Sequence, residues 1–406
     1  LTNVEEARQR ILDNVERLSN EEVSITEAFG RVLDEDIQAP VDIPHFDNSA
    51  MDGYAVHAAD TAGATQESPA TLKAIGDVAA GYVPDREIGM GETIRIMTGA
   101  SVPEGADAIV MQEYTERLDE RSQVRVFREV TVGEHIRKTG EDIRAGEIAL
   151  ERGKRLNPAA IGLLAATGRM TVKVIRKPVV AIISTGDELI EVDEPLAPGK
   201  IRNSNAYSIA ALLQETGCIP LMLGIAGDNR NDLVEKIEKG LDADMIITTG
   251  GVSVGDYDIV KDVVSEMGEV MLWKINMKPG KPLAFGMIKN KPLIGLPGNP
   301  TSSMVSFIQF ARPALLKMSA RTDLSLMTVR AVSEDKVKNR SGRRNYIRVI
   351  VRNDDGVFRA RLSGGQHSGS LRPMMQANGL MVVPEDVYEI QPEDKVEIEL
   401  LEPVAE

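Results

Sequence analysis

Cysteine is almost missing, with Cys218 the only one in 406 residues. A lone thiol excludes an intramolecular disulfide and a thiolate zinc cluster. Histidine is scarce as well: His45, His57, His135 and His367 form no HExxH and no paired ligand spacing. Aromatics amount to 7 Phe, 7 Tyr and 1 Trp, too few for a platform that stacks single-stranded bases. No apolar run approaches the ~18 residues of a membrane-crossing helix. The opening Leu1-Thr-Asn-Val-Glu-Glu6 has neither the basic nor the apolar region of a signal peptide. Positive charge is in deficit, since 47 Lys and Arg against 62 Asp and Glu leave a formal charge of −15. That argues against sequence-independent nucleic-acid binding. The expectation is a cytoplasmic protein that binds neither membrane nor nucleic acid. A local basic pocket for a small anion stays compatible with an acidic chain.

What is present points to several domains. The chain is 42% apolar and 27% charged, suited to globular cores, and at ~150 residues per domain its length predicts two to four. Val4, Ala7, Ile11, Val15 and Leu18 mark an amphipathic helix over 3–18, with Thr2 or Asn3 as cap. Two prolines in Gln38-Ala-Pro-Val-Asp-Ile-Pro44 favour extended backbone leading into a polar loop, His45–Tyr54. Residues 70–150 hold short β-branched runs, at 93–97, 108–111 and 124–127, and read as a small β domain. Asn157-Pro158 then starts a helix that Gly168 ends.

From about 178 the rhythm changes. Strands are expected at 179–183, 219–223, 245–248, 270–275, 283–288 and 292–295. They alternate with helices at 204–215, 232–239, 258–267 and about 301–318. Apolar strands alternating with helices predict a mostly parallel sheet covered on both faces. After about 325 only short strands follow, at 328–333, 346–352, 357–362, 380–383 and 395–400, which predict a C-terminal β domain.

Four features carry chemistry. Two glycine-rich loops end strands of the α/β section: Thr248-Thr-Gly-Gly-Val-Ser-Val-Gly-Asp256 and Gly295-Leu-Pro-Gly-Asn-Pro-Thr-Ser-Ser303. Ligands of open α/β sheets bind outside such strand ends, and glycine lets backbone N–H groups approach an anion. Gly250, Gly251, Ser253, Gly255, Pro297, Gly298, Asn299, Pro300, Thr301 and Ser302 are therefore candidate binding residues. The alternative is turn chemistry with a helix cap. Between the loops, Lys274, Lys278 and Lys281 concentrate positive charge around a Pro-Gly bend, as point charges for phosphate. A solvated turn is the other reading.

Carboxylates form the third feature: Asp187 and Glu188 after the first strand, Asp228 after the second, and Asp256 and Asp258 after the first glycine loop. Acids beside a phosphate repel it unless a divalent cation bridges them, so Mg²⁺ is expected among Glu188, Asp228, Asp256 and Asp258. N-capping by Asp187 and Asp258 is the competing account. The fourth is the loop holding Asp47, Asn48, Ser49 and Asp52, which is either a set of Asx turns or a functional loop. One shared cavity is expected to collect the lysines, both glycine loops and the acids Glu188, Asp228 and Asp258.

Taken together, seven segments resemble the molybdopterin molybdenumtransferases, a family that includes the E domain of gephyrin. They are Asp42-Ile-Pro-His-Phe-Asp-Asn-Ser-Ala-Met-Asp-Gly-Tyr-Ala-Val56, Ile96-Met-Thr-Gly-Ala100, Thr139-Gly-Glu-Asp142, Ser184-Thr-Gly-Asp-Glu188, Gly250-Gly-Val-Ser-Val-Gly255, Lys278-Pro-Gly-Lys-Pro282 and Gly295-Leu-Pro-Gly-Asn-Pro300. The resemblance spans essentially the whole chain. It implies an α/β multidomain fold: an elongated N-terminal linker domain (1–44 and 140–177), a small β-rich domain (45–139), a molybdopterin-binding α/β domain (178–324) and a β-barrel-like C-terminal domain (325–406).

The implied reaction inserts molybdenum from molybdate, or from near-isosteric tungstate, into adenylylated molybdopterin. AMP leaves and Mg²⁺ assists. Catalytic roles are implied for Asp52, Thr98, Asp142, Glu188, Asp228 and Asp258. Substrate binding is implied for Lys274, Lys278, Pro297 and Pro300, and in a looser match for Ser368 and Ser370. The implied partners are a second copy, whose α/β domain faces the Asp47–Asp52 region of the first in a shared site, and the adenylyltransferase that supplies substrate. Two other readings stay open: a molybdopterin adenylyltransferase or nucleotide pyrophosphatase on the same α/β module, and a binding scaffold.

Overall fold

The computed structural model describes residues 1–119, 122–251 and 259–404, which fold as two compact units. The larger comprises Leu1–Glu22, Gly30–Asp34 and Lys173–Glu406; the smaller, Val23–Phe29 and Glu35–Val172. Helix α1 (Val4–Asp13) belongs to the larger unit. The Asn3 carboxamide caps it by accepting from the Glu6 N–H at 2.7 Å, and Val4, Ala7 and Ile11 are buried. The helix stops before the expected residue 18 because Asn14 turns its side chain onto the Arg10 carbonyl at 2.8 Å, competing with the backbone ladder. Among the described residues no helix is long and apolar enough to cross a membrane.

The smaller unit is built on a six-stranded sheet of β1 (Gly53–Val56), β2 (Ala70–Val78), β3 (Glu92–Ile96), β4 (Ala108–Met111), β5 (Thr115–Asp119) and β6 (Gln123–Val126), in the order β4-β1-β3-β2-β6-β5. Only β2 and β3 run parallel. Alternation puts Tyr54, Val56, Val110 and Val124 in one buried cluster and Ala55, Ile94, Ile96 and Ile109 in another. Helix α2 (Pro158–Ala166) starts at the expected place, its Asn157 cap accepting from the Ala160 N–H at 2.8 Å.

The larger unit carries the α/β sheet: β7 (Val179–Thr185), β8 (Ile219–Ala226), β9 (Met245–Thr249), β10 (Gly268–Lys274), β11 (Pro282–Ile288) and β12 (Lys291–Leu296), in the order β8-β7-β9-β12-β11-β10. The first four are mutually parallel, while β11 is antiparallel to both β12 and β10. The ends of β7, β8, β9, β10 and β12 therefore share one edge, where the β10–β11 turn also lies. Helices α3 (Ser204–Glu215), α4 (Arg230–Gly240) and α5 (Ile259–Met267) connect and cover the strands.

The expected single helix over 301–318 is instead α6 (Pro300–Ser306), a π-turn (Phe307–Ala311) and α7 (Arg312–Met318). Pro313 has no N–H to offer the Gln309 carbonyl, and Arg8 Nε donates to that carbonyl at 3.1 Å instead. The buried Gln309 carboxamide then donates to Glu399 at 2.5 Å.

Beyond the short helix α8 (Leu371–Gln376), the C-terminal segment is a closed five-stranded barrel of β13 (Thr328–Ser333), β14 (Arg344–Asp354), β15 (Val357–Leu362), β16 (Gly379–Val383) and β17 (Lys395–Leu400). It closes as β14-β15-β13-β17-β16 back to β14. Met277–Lys278, in the β10–β11 turn, pairs parallel with the start of β14 and so binds the sheet's functional edge to the barrel.

Candidate active site

Two cavities open at the edge where these strands end. The smaller, about 60 Å³, is lined by Thr185, Glu188, Asn203, Thr249, Gly250 and Gly298 among others. Gly250 is demanded by packing here. At φ +87°, an added Cβ would sit 2.4 Å from the Thr185 carbonyl oxygen. The Gly298 carbonyl is held by the Asn205 carboxamide at 2.7 Å, and Pro300 completes the wall.

The larger cavity, about 580 Å³, lies between the β10–β11 turn and the barrel. Lys278, Lys281, Lys336, Lys338, Arg343 and Arg348 line it, and no Asp or Glu does. Arg348 is only 1% exposed. Its Nη2 donates to the Gly365 and His367 carbonyls at 3.1 and 3.4 Å, while its Nε has no partner. Burial pushes its pKa down. A buried guanidinium among lysines, with no carboxylate to neutralise it, is the chemistry of an oxyanion site. Ser302 and Ser368 line this same cavity. Thr301 fastens the two segments by donating its N–H to the Ser368 carbonyl at 3.0 Å and its hydroxyl to the Ser370 carbonyl at 2.9 Å. That bond uses the Thr301 hydroxyl proton and leaves Thr301 fully buried.

The expected single cavity is thus two. Pro300 lines one and Ser302 the other, so the first turn of α6 serves both. Lys274 ends β10 at this edge but lines neither, and Pro297, buried after β12, lines neither as well. Asn299 stands at the N-cap of α6 without a side-chain capping bond.

Ser253, Gly255, Asp256 and Asp258 lie outside the described residues. Gly251, with φ +64°, continues the β9 loop. Asp187 caps no helix, contrary to one expectation. It accepts from the Asp228 N–H at 2.8 Å, and the Asp187 N–H donates back to Asp228 at 3.3 Å. Glu188 and Asp228 are both exposed. Among the described residues no three His, Cys, Asp or Glu side chains gather into a metal cluster.

In the smaller unit, Asp52 and Thr98 meet. One Asp52 oxygen accepts from both the Thr98 N–H and its hydroxyl, each at 2.7 Å. The Thr98 N–H, then its hydroxyl, hold the Asp52 carboxyl below its ordinary range. Asp47 behaves alike, held down first by Lys138 Nζ at 2.8 Å and then by the Thr139 N–H at 2.8 Å. Asp142 is exposed, and its N–H donates to the Ile43 carbonyl at 3.1 Å. Asp47 and Asp52 stay ionised and hydrogen-bonded at neutral pH, so their loop is ordered by specific contacts and presents fixed negative charge.

Arg348, Lys336, Lys338, Arg343, Thr185 and Asn203 escaped the sequence reading. Only the basic run Lys336–Arg344 offered a signal, and without the barrel nothing ties it to the Lys278 turn.

Comparison with known proteins agrees with this architecture. Residues 2–168 match the family description "MoeA N-terminal region (domain I and II)", 181–317 "Probable molybdopterin binding domain" and 330–401 "MoeA C-terminal region (domain IV)". A molybdopterin molybdenumtransferase of Nostoc sp. is 38% identical over 369 residues, covering 89% of this chain and 84% of the relative. One of Bacillus subtilis is 37% identical over 386 residues, covering 94% and 90%. The crystal structure of a molybdopterin biosynthesis moeA protein from Pyrococcus horikoshii OT3 matches with a TM-score of 0.83 at 32% identity, covering 98% of this chain and 100% of that one.

Proposed function

The chain belongs to the molybdopterin molybdenumtransferase family, and from that premise we propose that it transfers molybdenum from molybdate to adenylylated molybdopterin with release of AMP. The observation that carries the reading is the cavity lined by six cationic side chains and by no Asp or Glu, inside a chain of net charge −15; of the six, Lys336 is paired with Glu389 at 2.5 Å, outside the lining. Both reactants are oxyanions. Lys278, Lys281 and Arg348 bind molybdate by charge-assisted hydrogen bonds, and Ser302 adds a hydroxyl. The glycine-lined cavity receives a group of the organic substrate. Because one turn of α6 lines both cavities, the two reactants meet across it. Cleaving a phosphoanhydride needs charge stabilisation more than a side-chain nucleophile, which suits a site poor in Cys and His. The molybdopterin adenylyltransferase reading is not favoured, because relatives that carry the transferase name match 89% and 94% of the chain.

The proposal includes Mg²⁺. Glu188 and Asp228 offer exposed hard-oxygen donors, and Mg²⁺ requires only one or two carboxylates when substrate oxygens and waters complete its shell. When bound, it would neutralise charge on the phosphoanhydride. Asp52, Thr98 and Asp142 join the site in a homodimer, in which the Asp47–Asp52 segment of one copy meets the α/β sheet of the other. Support for this is family resemblance together with the ordered, charged Asp52 loop. The cytoplasmic setting and the adenylyltransferase as substrate donor belong to the same proposal.

Purified protein mixed with adenylylated molybdopterin, molybdate and Mg²⁺ should release AMP as molybdenum is incorporated. An absence of AMP would overturn the reading. Mixing Asp52→Ala with Lys278→Ala subunits, each inactive alone, should restore activity if the site is shared between copies.

A further inference from the structure

We propose that Asn203 is a substrate-binding residue whose carboxamide N–H donates to an acceptor oxygen of the bound organic substrate. The inference deepens the reading above and rests on it. Asn203 caps α3 and is 1% exposed. Its Oδ1 accepts from the Ala206 N–H at 3.4 Å and from the Ser184 hydroxyl at 2.8 Å. A backbone N–H can only donate, so the orientation of the carboxamide is fixed. Ser184 spends its single proton on Asn203, so the Thr249 hydroxyl, 3.1 Å from Ser184 Oγ, must donate to it. The chain of donors thus runs from Thr249 through Ser184 to Asn203 Oδ1, and it polarises the amide toward donation at the other end.

That other end is Nδ2, which is buried and has no partner. It belongs to a residue lining the 60 Å³ cavity beside Glu188 and Gly250. Thr185 Oγ1, on the same wall, is likewise buried and unpartnered. A buried donor left unmade is costly, and native structures retain few of them. Two in one small cavity mark a place that a ligand completes. The cavity has room for one functional group and not for a nucleotide. The group is an acceptor oxygen, carried either by the nucleotide or by the pterin end of the substrate.

The test uses full-length protein with Asn203→Asp and Asn203→Ser. Both residues cap helices as well as Asn does. Aspartate keeps the acceptor for Ala206 and Ser184 but has no N–H, and serine is too short to reach the cavity. AMP and molybdopterin are bound in separate arms, and thermal melting is recorded alongside. We expect melting close to wild type for Asn203→Ser and lowered for Asn203→Asp, whose second carboxylate oxygen is buried without a partner, and for both variants affinity weaker by roughly tenfold to a hundredfold in one arm, the range for losing a hydrogen bond to a polar or charged group. The arm affected identifies the oxygen's source. In turnover, KM for adenylylated molybdopterin should rise by a similar factor with kcat little changed. Wild-type affinity in both arms for both variants would overturn this inference alone. A wild-type protein that binds neither probe would overturn it together with the functional reading.

Discussion

The two ends of the central sheet treat polar groups in opposite ways. Where β7 and β9 begin, Asp244 is 7% exposed and accepts from Arg176 at 2.6 and 2.5 Å and from the Val179 N–H at 2.9 Å. Both of its carboxylate oxygens thus have partners. Where the same strands end, Asn203 Nδ2 and Thr185 Oγ1 are buried without partners, and Lys278 and Lys281 face a cavity lined by no acid. Unmatched polar groups lower stability and persist when something outside the fold completes them. One end therefore fastens β7 to β9, and the other is kept open for charged reactants. Substitutions at the two ends should separate activity from stability.

The largest separation is expected for Lys278→Ala combined with Lys281→Ala. Each lysine contributes a charge-assisted contact of about 1.5–3 kcal/mol. Molybdenum insertion at subsaturating molybdate should fall roughly a hundredfold or more, with melting almost unmoved, since among the described residues neither side chain has an ion pair to lose. Raising molybdate should recover part of the rate. A double variant as active as wild type at low molybdate would remove the cationic cavity from the mechanism.

Gly250→Ala should break the simple comparison, because this residue sits at the functional end yet acts through packing. Its positive φ alone costs an alanine about 1–2 kcal/mol, and the Cβ would also press on the Thr185 carbonyl 2.4 Å away. Urea unfolding should show a lower midpoint, and activity should fall because the wall of the small cavity moves. Unchanged stability would mean that the β9 loop relaxes freely.

These cases show which parts of the molecule could be read in advance. Helix α3 and strands β13, β15 and β17 match their expected ranges, because their buried positions recur with the local period of helix or strand. The lysine turn and both glycine loops were visible as strand-end motifs. Arg348 was not, since an arginine within the apolar run Tyr346–Val351 reads as a strand's solvent-facing residue. Only barrel closure and the Met277–Lys278 pairing with β14 turn it toward the lysines. Asn203 reads simply as a helix cap. Its idle N–H becomes evident only when Ser184 and Ala206 are seen to occupy the oxygen. The π-turn in the last α/β helix depends on Arg8, roughly three hundred residues away in sequence, and no local pattern announces it.

At the opposite end, Asp244→Asn should lower stability by roughly 2 kcal/mol, toward the low side of values for breaking a buried pair because Arg176 keeps some contact with water. kcat and KM should be unchanged. A loss of turnover without a loss of stability would show that the two ends are coupled through the sheet.

The smallest effect is the pH dependence of that same pair, and its sign is fixed. Burial alone would raise the Asp244 pKa, but the Arg176 guanidinium and the Val179 N–H outweigh it and hold the carboxyl below its ordinary value. A carboxylate with a depressed folded pKa contributes stability that is fully present above its unfolded value of about 3.9. That contribution disappears as pH falls through the lower folded value. Glu399 has the opposite sign: burial raises its pKa, so its cost grows as pH rises past about 4.3. That cost is common to wild type and Asp244→Asn and cancels in their difference. The difference in unfolding free energy should therefore stay flat between about pH 7 and 5 and shrink below about 4. A difference that instead widened on acidification would mean that Asp244 is not held ionised by Arg176, and the contrast between the two ends of the sheet would lose its structural half.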